Sequence, residues 1–349
     1  MKKIIALTLA LLLAVSGLAG CRATAVVGVT QPEETTKPTE TQPLGDDAVK
    51  TGLSLTTTLS SSKNAGEEAG LAQADVTMVA VTVDENGVIL QCVIDAVQAK
   101  VNFDSTGAIV SDINAAVQSK NQLGEAYGMG KYSPIGKEWD EQAQALADYV
   151  EGKTLEEVKG IAITEEGKAK DTDLSASVTI AIAGFIPAIE AAVNNARHLG
   201  AKASDTLKLT TTTSVASSQN AGPQEAGLAQ TDCYAAAITL EGETITSCAI
   251  DSVQAKVNFD DKGVITTDLT AAVQSKNQLG DAYGMGKYSP IGKEWDEQTA
   301  SFCQYITGKT IDQVLGIAIN QDTKPADADL AASVTIAIGS FLELVSQAK

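Results

Sequence analysis

An offset of 156 residues maps one stretch of this 349-residue chain almost letter for letter onto another. VQAKVNFD at Val97 to Asp104 recurs at Val253 to Asp260. AAVQSKNQLGEAYGMGKYSPIGKEWDEQ at Ala115 to Gln142 recurs at Ala271 to Gln298 with one change, Glu125 to Asp281. A period this long marks a duplicated domain and not a solenoid, and a unit of roughly 150 residues is a usual size for an independent fold. The flanking stretches diverge much further, so the near-identical block tolerates change less well than the helices after it.

Within the first copy, β-branched residues surround Asn86-Gly87 in DVTMVAVTVDENGVILQCVIDAVQAKVNFD. That pair favours a tight hairpin, which predicts two antiparallel strands there and a third around AKVNFD. SPIGKEWDEQAQALADYVEG predicts a helix capped by Ser133, with Pro134 at its first position and Gly152 at its end. Ile135, Trp139, Ala143, Leu146 and Val150 fall on one face of it. Thr154 and Glu157, and in the second copy Thr310 and Gln313, have capping-box spacing for a short helix. Strands first and helices later argue for an α+β fold.

The N-terminus bounds where such domains work. MKKIIALTLALLLAVSGLAGC has the basic, apolar and small-residue order of a secretory signal, too short in its apolar run for a spanning helix. Leu18-Ala19-Gly20-Cys21 resembles the bacterial lipobox, whose cysteine is alkylated by a diacylglyceryl group; a plain cleaved signal is the competing reading. The stretch after Cys21, with Pro32, Pro38 and Pro43 among Thr and Glu, reads as a disordered stalk. The formal net charge is -19. That acidity repels phosphate backbones and argues against nucleic acid as a partner, while it keeps an exported domain soluble.

Five cysteines in a chain this long are not a disulfide scaffold. Cys92 and Cys248 occupy matching positions, where a small buried side chain is expected; a cross-strand disulfide between Cys233 and Cys248 is the less favoured alternative. His198 is the single histidine, which argues against imidazole catalysis and histidine-rich metal sites.

YGMGKYSPIGKEW invites a phosphate-loop reading that fails on spacing. Five residues separate Gly130 from Gly136 where the Walker A loop has four, and Glu138 follows Lys137 where a magnesium hydroxyl ligand belongs. The glycines permit positive φ, and Trp139 belongs to the helix's apolar face. Tyr127, Met129 and Lys131, with Tyr283, Met285 and Lys287 in the second copy, interleave flat apolar surface with glycine and positive charge. Such a loop suits a planar, polar-edged ligand that carries a phosphate.

DLSASVTIAI at Asp173 to Ile182 recurs as DLAASVTIAI at Asp329 to Ile338. Leu174, Val178, Ile182, Phe185 and Ile189 keep helical spacing, which places Thr179 in the first turns of a helix capped by Asp173 or Ser175, with Pro187 bending or ending it. A phosphate there would meet free N–H groups and the positive end of the helix dipole. A period-two strand over SVTIAI stays open, as does a plain role for Thr179 bonding a carbonyl one turn back.

The stretch resembles the acceptor segment of FMN-binding domains that carry covalent flavin, Asp-x-x-Ser/Thr-Gly-Ala-Ser/Thr-x-Ser/Thr, whose last hydroxyl is esterified to FMN phosphate by a flavin transferase. The matching positions are Asp171, Leu174, Ser175, Ala176, Ser177 and Thr179, then Asp327, Leu330, Ala331, Ala332, Ser333 and Thr335. The Ala-Ser-x-Thr core and the upstream Asp agree; Leu-Ser and Leu-Ala stand where the pattern has hydroxyl then glycine. SKNQLG, SPIGKEWDEQ and GKT extend the match, and the lipobox, stalk and paired domains are similar to the flavinylated lipoproteins of Gram-positive extracellular electron transfer.

That resemblance implies a lipoprotein signal over 1–20, an anchored stalk over 21–50, FMN-binding domains over 51–196 and 206–349, and a linker over 197–205. It implies two covalent FMN groups, on Thr179 and Thr335. Ser177 and Ser333 are neighbouring hydroxyls, and Tyr127, Met129, Lys131, Tyr283, Met285 and Lys287 are flavin contacts. The implied partners are a flavin transferase, a membrane quinol-linked donor, external acceptors such as ferric iron, and the bilayer through Cys21, with the protein on the extracellular face of the membrane. Two other readings stand beside it: a lipoprotein that captures a small molecule non-covalently, and a structural surface repeat protein.

Overall fold

Each copy contributes a three-stranded antiparallel sheet, and the length of the strands follows from burial on both faces. In the computed structural model, which describes residue 45 and residues 47–349, β1 (Lys50–Thr58), β2 (Gly70–Val83) and β3 (Ile89–Phe103) pair in that order. β4 (Thr206–Ser214), β5 (Gly227–Glu241) and β6 (Thr244–Phe259) repeat the arrangement. The signal, Cys21 and most of the stalk lie outside the described residues. Val49 is already buried and donates its N–H to Ala201 O, so the folded part begins before residue 51.

The hairpin at Asn86-Gly87 forms as the sequence predicts. The Asp84 carboxylate accepts the N–H groups of Asn86 and Val88, and Gly87 takes a φ of 80°. The predicted third strand does not: AKVNFD is the end of β3. The third strand is instead β1, a Thr-rich stretch with little hydrophobic signature, drawn against β2 by Leu53 and Leu55 on one face. Gly52 lets the C-terminal helix of the copy approach, because a Cβ there would stand 2.1 Å from Ala192 O.

Five helices come after the strands in the first copy: α1 (Lys120–Leu123), α2 (Trp139–Val150), α3 (Leu155–Lys159), α4 (Thr172–Ser175) and α5 (Phe185–Asn195). In the second they are α6 (Lys276–Leu279), α7 (Trp295–Ile306), α8 (Ile311–Leu315), α9 (Ala328–Ala331) and α10 (Gly339–Ser346). The capping boxes expected of Thr154 with Glu157 and of Thr310 with Gln313 are formed. The fold is α+β.

Consecutive strand residues point into different cores. Val79 and Val81 pack on Trp139, Leu146, Val178 and Ile189 on the helical side, while Met78 and Ala80 face Cys233, Ala235 and Val253 of the other sheet. Layers therefore run helix, sheet, sheet, helix, which is why β2 and β3 bury residues on both faces over much of their length. The two sheets meet isologously. Ala65 N donates to Gly263 O and Ala221 N to Gly107 O; Ile109 N donates to Asn220 Oδ1 and Ile265 N to Asn64 Oδ1. At the centre Phe103 stacks on Phe259, ring centroids 4.1 Å apart and 4° from parallel. Every pair is its own mirror at the repeat offset, the signature of a two-fold interface. Residues 44–349 accordingly form one compact unit, with the 197–205 segment laid along β1 through Thr51 and Arg197.

This layering also excludes the Cys233–Cys248 disulfide. Both thiols are free, Cys233 facing the inter-sheet core with its sulfur 4.0 Å from Met78 Sδ and Cys248 facing the helices on the opposite side of the sheet.

Candidate functional site

The glycine-rich block folds back over the N-terminus of α2. Glu138, not Ser133, caps that helix: its carboxylate accepts Met129 N and Gly130 N at 2.8 Å each, and its own N–H donates to Glu141 Oε2. Gly136, at a φ of 69°, turns the chain between Pro134 and the helix, so Ser133, Pro134 and Ile135 all lie ahead of it and Ile135 is not part of the helix's apolar face. A Cβ at Gly130 would stand 2.8 Å from Glu138 Oε1, so a larger residue there would displace the carboxylate that caps the helix. Two of the N–H groups that the loop offers an anion are thus taken by the chain's own carboxylate. Glu294 does the same for Met285 and Gly286 in the second copy.

Gln142 ties this loop to the acceptor-like segment. It is fully buried on the apolar face of α2, between Trp139 and Leu146. Its Nε2 donates to Ser133 Oγ and Lys137 O, both at 3.1 Å. Its Oε1 accepts Thr179 N at 2.8 Å, Thr179 Oγ1 at 3.1 Å and Ile180 N at 3.2 Å. Gln298 repeats the arrangement with Ser289, Lys293 and Thr335. Sequence reasoning passes over both glutamines; the signal that marks them is an amide on an otherwise apolar helix face.

Thr179 does not lie in a helix. α4 is a single turn, capped by Asp171, whose carboxylate accepts Asp173 N and Leu174 N. The cap is therefore Asp171 and not Asp173 or Ser175. The chain then runs irregularly from residue 176 to 184 before α5. Leu174, Val178, Ile182, Phe185 and Ile189 are all buried as their spacing implies. Gly167 O, however, captures the N–H groups of Ile182 and Ala183, which breaks helical continuity. Pro187 sits in the first turn of α5, where its missing N–H costs nothing. The Thr179 hydroxyl donates to a side chain and not to a carbonyl one turn back. Thr179, Thr335, Ser177 and Ser333 are each half-buried.

The remaining predicted residues separate into two groups. Tyr127 and Met129, like Tyr283 and Met285, are half-buried against the helical cores, while Lys131 and Lys287 are exposed. Different lysines meet the aromatic rings: Lys120 Nζ lies 4.9 Å from the Tyr127 ring and 4.8 Å from that of Trp139. Lys276 lies 5.2 Å from Tyr283, 4.8 Å from Trp295 and 5.3 Å from Tyr234, and burial lowers its pKa against the pull of Asp232 and Asp251. Asp327, the second-copy counterpart of Asp171, borders a cavity of about 450 Å³ with Tyr305, Lys309 and Gln313.

The SKNQLG block is docked by a buried carboxylate. Asp95 accepts Asn121 N and Ala96 N, and Asn121 Nδ2 donates to Ile94 O; Asp251 and Asn277 match them. Burial pushes Asp95 and Asp251 up to about 6, against the hydrogen bonds that favour the anion. An unfolded chain releases these protons near pH 3.9. Between roughly pH 4 and pH 6 the folded state therefore binds more protons than the unfolded state, and the two groups make folding less favourable as pH rises. The double variant Asp95→Asn and Asp251→Asn is expected to gain stability relative to wild type from pH 4 to pH 7 in urea titrations. A difference independent of pH would show that neither carboxyl titrates in that window.

Among the described residues, no group of three or more His, Cys, Asp or Glu side chains gathers to hold a metal ion, and no helix is long and apolar enough to cross a membrane. Comparison of the chain with protein families, with curated proteins and with solved structures returned no match.

Proposed function

We propose that the protein is a membrane-anchored extracellular electron carrier with one FMN esterified through its phosphate to Thr179 and another to Thr335. The observation that carries this reading is the buried Gln142, and its counterpart Gln298. In each copy it joins the acceptor-like threonine to the glycine-rich block, so the two stretches that the resemblance singles out share one hydrogen-bonded patch.

The residues present suit a phosphoester. Thr179 is half-buried and its hydroxyl spends its proton on Gln142 Oε1, and the N–H groups of Thr179 and Ile180 are satisfied by the same oxygen. The side chain is thereby held in one orientation at a surface that a flavin transferase can reach. Tyr127 and Met129 would offer the ring apolar surface, with Lys120 and Lys131 placing positive charge on the same block. When bound, FMN supplies uptake and release of one or two electrons. Attachment outside the cell keeps it from diffusing away, and the stalk and the lipid on Cys21 would give reach between a membrane quinol-linked donor and external acceptors such as ferric iron.

Intact-mass and visible-absorbance measurements on full-length protein, produced with and without a flavin transferase, test the proposal. Two FMN-sized increments and a yellow protein are expected only with the transferase. An unmodified, colourless protein would overturn the carrier reading. Thermal stabilisation of that colourless protein by free FMN would favour a non-covalent binding module, and no response would favour a structural repeat.

A further inference from the structure

We propose that Cys248 and Cys303 are a disulfide-forming pair that clamps α7 to β6 in the second copy. This inference stands independently of the flavin.

Cys248 lies on β6 and Cys303 on α7, and both are buried in the same helical core, 3% and 6% exposed. The two residues sit on elements packed directly against each other, α7 lying on β6 across that core. Both also line a cavity of about 860 Å³ that opens to solvent, together with Thr51, Leu53, Asn195 and Arg197. A small oxidant therefore has a path to two thiols that share one core and one cavity wall. The first copy has no such pair, because Ala147 stands where Cys303 would be and leaves Cys92 without a partner cysteine. The pairing is confined to the second copy, whose β6 and α7 form one wall of the cavity.

The oxidant named is a peroxide. One thiolate attacks the O–O bond, its sulfur becomes a sulfenic acid, and water leaves. The second thiol then displaces the sulfenic hydroxyl as another water, closing the S–S bond. Two thiols and one peroxide give one disulfide and two waters, with two electrons passing from the sulfurs to the peroxide. The neighbouring Cys303 thiol, then burial, holds the Cys248 thiol well above its ordinary value, so the step is slow at neutral pH and quickens in alkali.

The test treats the folded full chain with equimolar hydrogen peroxide at about pH 8.5, near the ordinary thiol value, then denatures it, alkylates with iodoacetamide and maps the peptides before and after reduction. Near-complete loss of alkylation at Cys248 and Cys303, restored by reduction, is expected, with a cross-linked peptide joining the two and with Cys92 and Cys233 alkylated throughout. The Cys303→Ala variant reproduces the first copy's own Ala147, and in it no cross-link is expected at Cys248. The proposal is overturned if Cys248 and Cys303 alkylate as fully as Cys92 and Cys233 after peroxide treatment, or if Cys248 is found joined to a different cysteine.

Discussion

Thr179→Ala is expected to remove one of two FMN-sized mass increments from protein made with a flavin transferase, and Thr335→Ala the other. The double variant should be colourless. The loss should be all-or-none in each copy, because the variant lacks the oxygen to which a phosphoester attaches. The fold should survive: Thr179 N still donates to Gln142 Oε1, and only the hydroxyl bond is lost, at a cost of about 1 kcal/mol. Ser177→Ala serves as the internal control, since Ser177 is half-buried like Thr179 and two residues away. If Ser177→Ala removes the increment and Thr179→Ala does not, the acceptor is misassigned while the flavin stands. If wild-type protein carries no increment, the flavin itself is withdrawn.

Gln142→Leu is expected to lower stability by about 2–4 kcal/mol, read as a fall in the urea midpoint at constant slope. Leucine nearly preserves volume, so the effect isolates the hydrogen bonds. Its removal strands the N–H groups of Thr179 and Ile180, together with Ser133 Oγ and Lys137 O, around a fully buried position. A second readout separates this from generic destabilisation. Flavin attachment at Thr179 should fall while attachment at Thr335, organised by Gln298, stays at its wild-type level. Equal losses at both threonines would show that Gln142 acts only through global stability.

The hairpin, the capping boxes and the buried face of α2 were legible because each depends on neighbours a few residues apart. β1 was not: its Thr-rich sequence becomes a strand only because Leu53 and Leu55 reach the opposing sheet, a partner more than 150 residues away. The segment around Thr179 misleads in the other direction. Its apolar residues fall at helical intervals and are all buried, yet the backbone is irregular because Gly167 supplies the carbonyl that a helix would have supplied internally. Gln142 escaped notice for a third reason. Composition treats an amide as surface, and only the convergence of a loop and a distant segment on one point gives it buried partners.

The back-to-back sheets have a consequence for how the molecule behaves when scarce. Two subunits meeting through such a face would separate on dilution, as any bimolecular complex does. Here the partner is covalently joined through the 197–205 segment, and association is unimolecular. At whatever concentration the protein is present, neither half is left without its counterpart. The Thr179 and Thr335 patches therefore occur as a matched pair, in a ratio set by the gene and not by concentration.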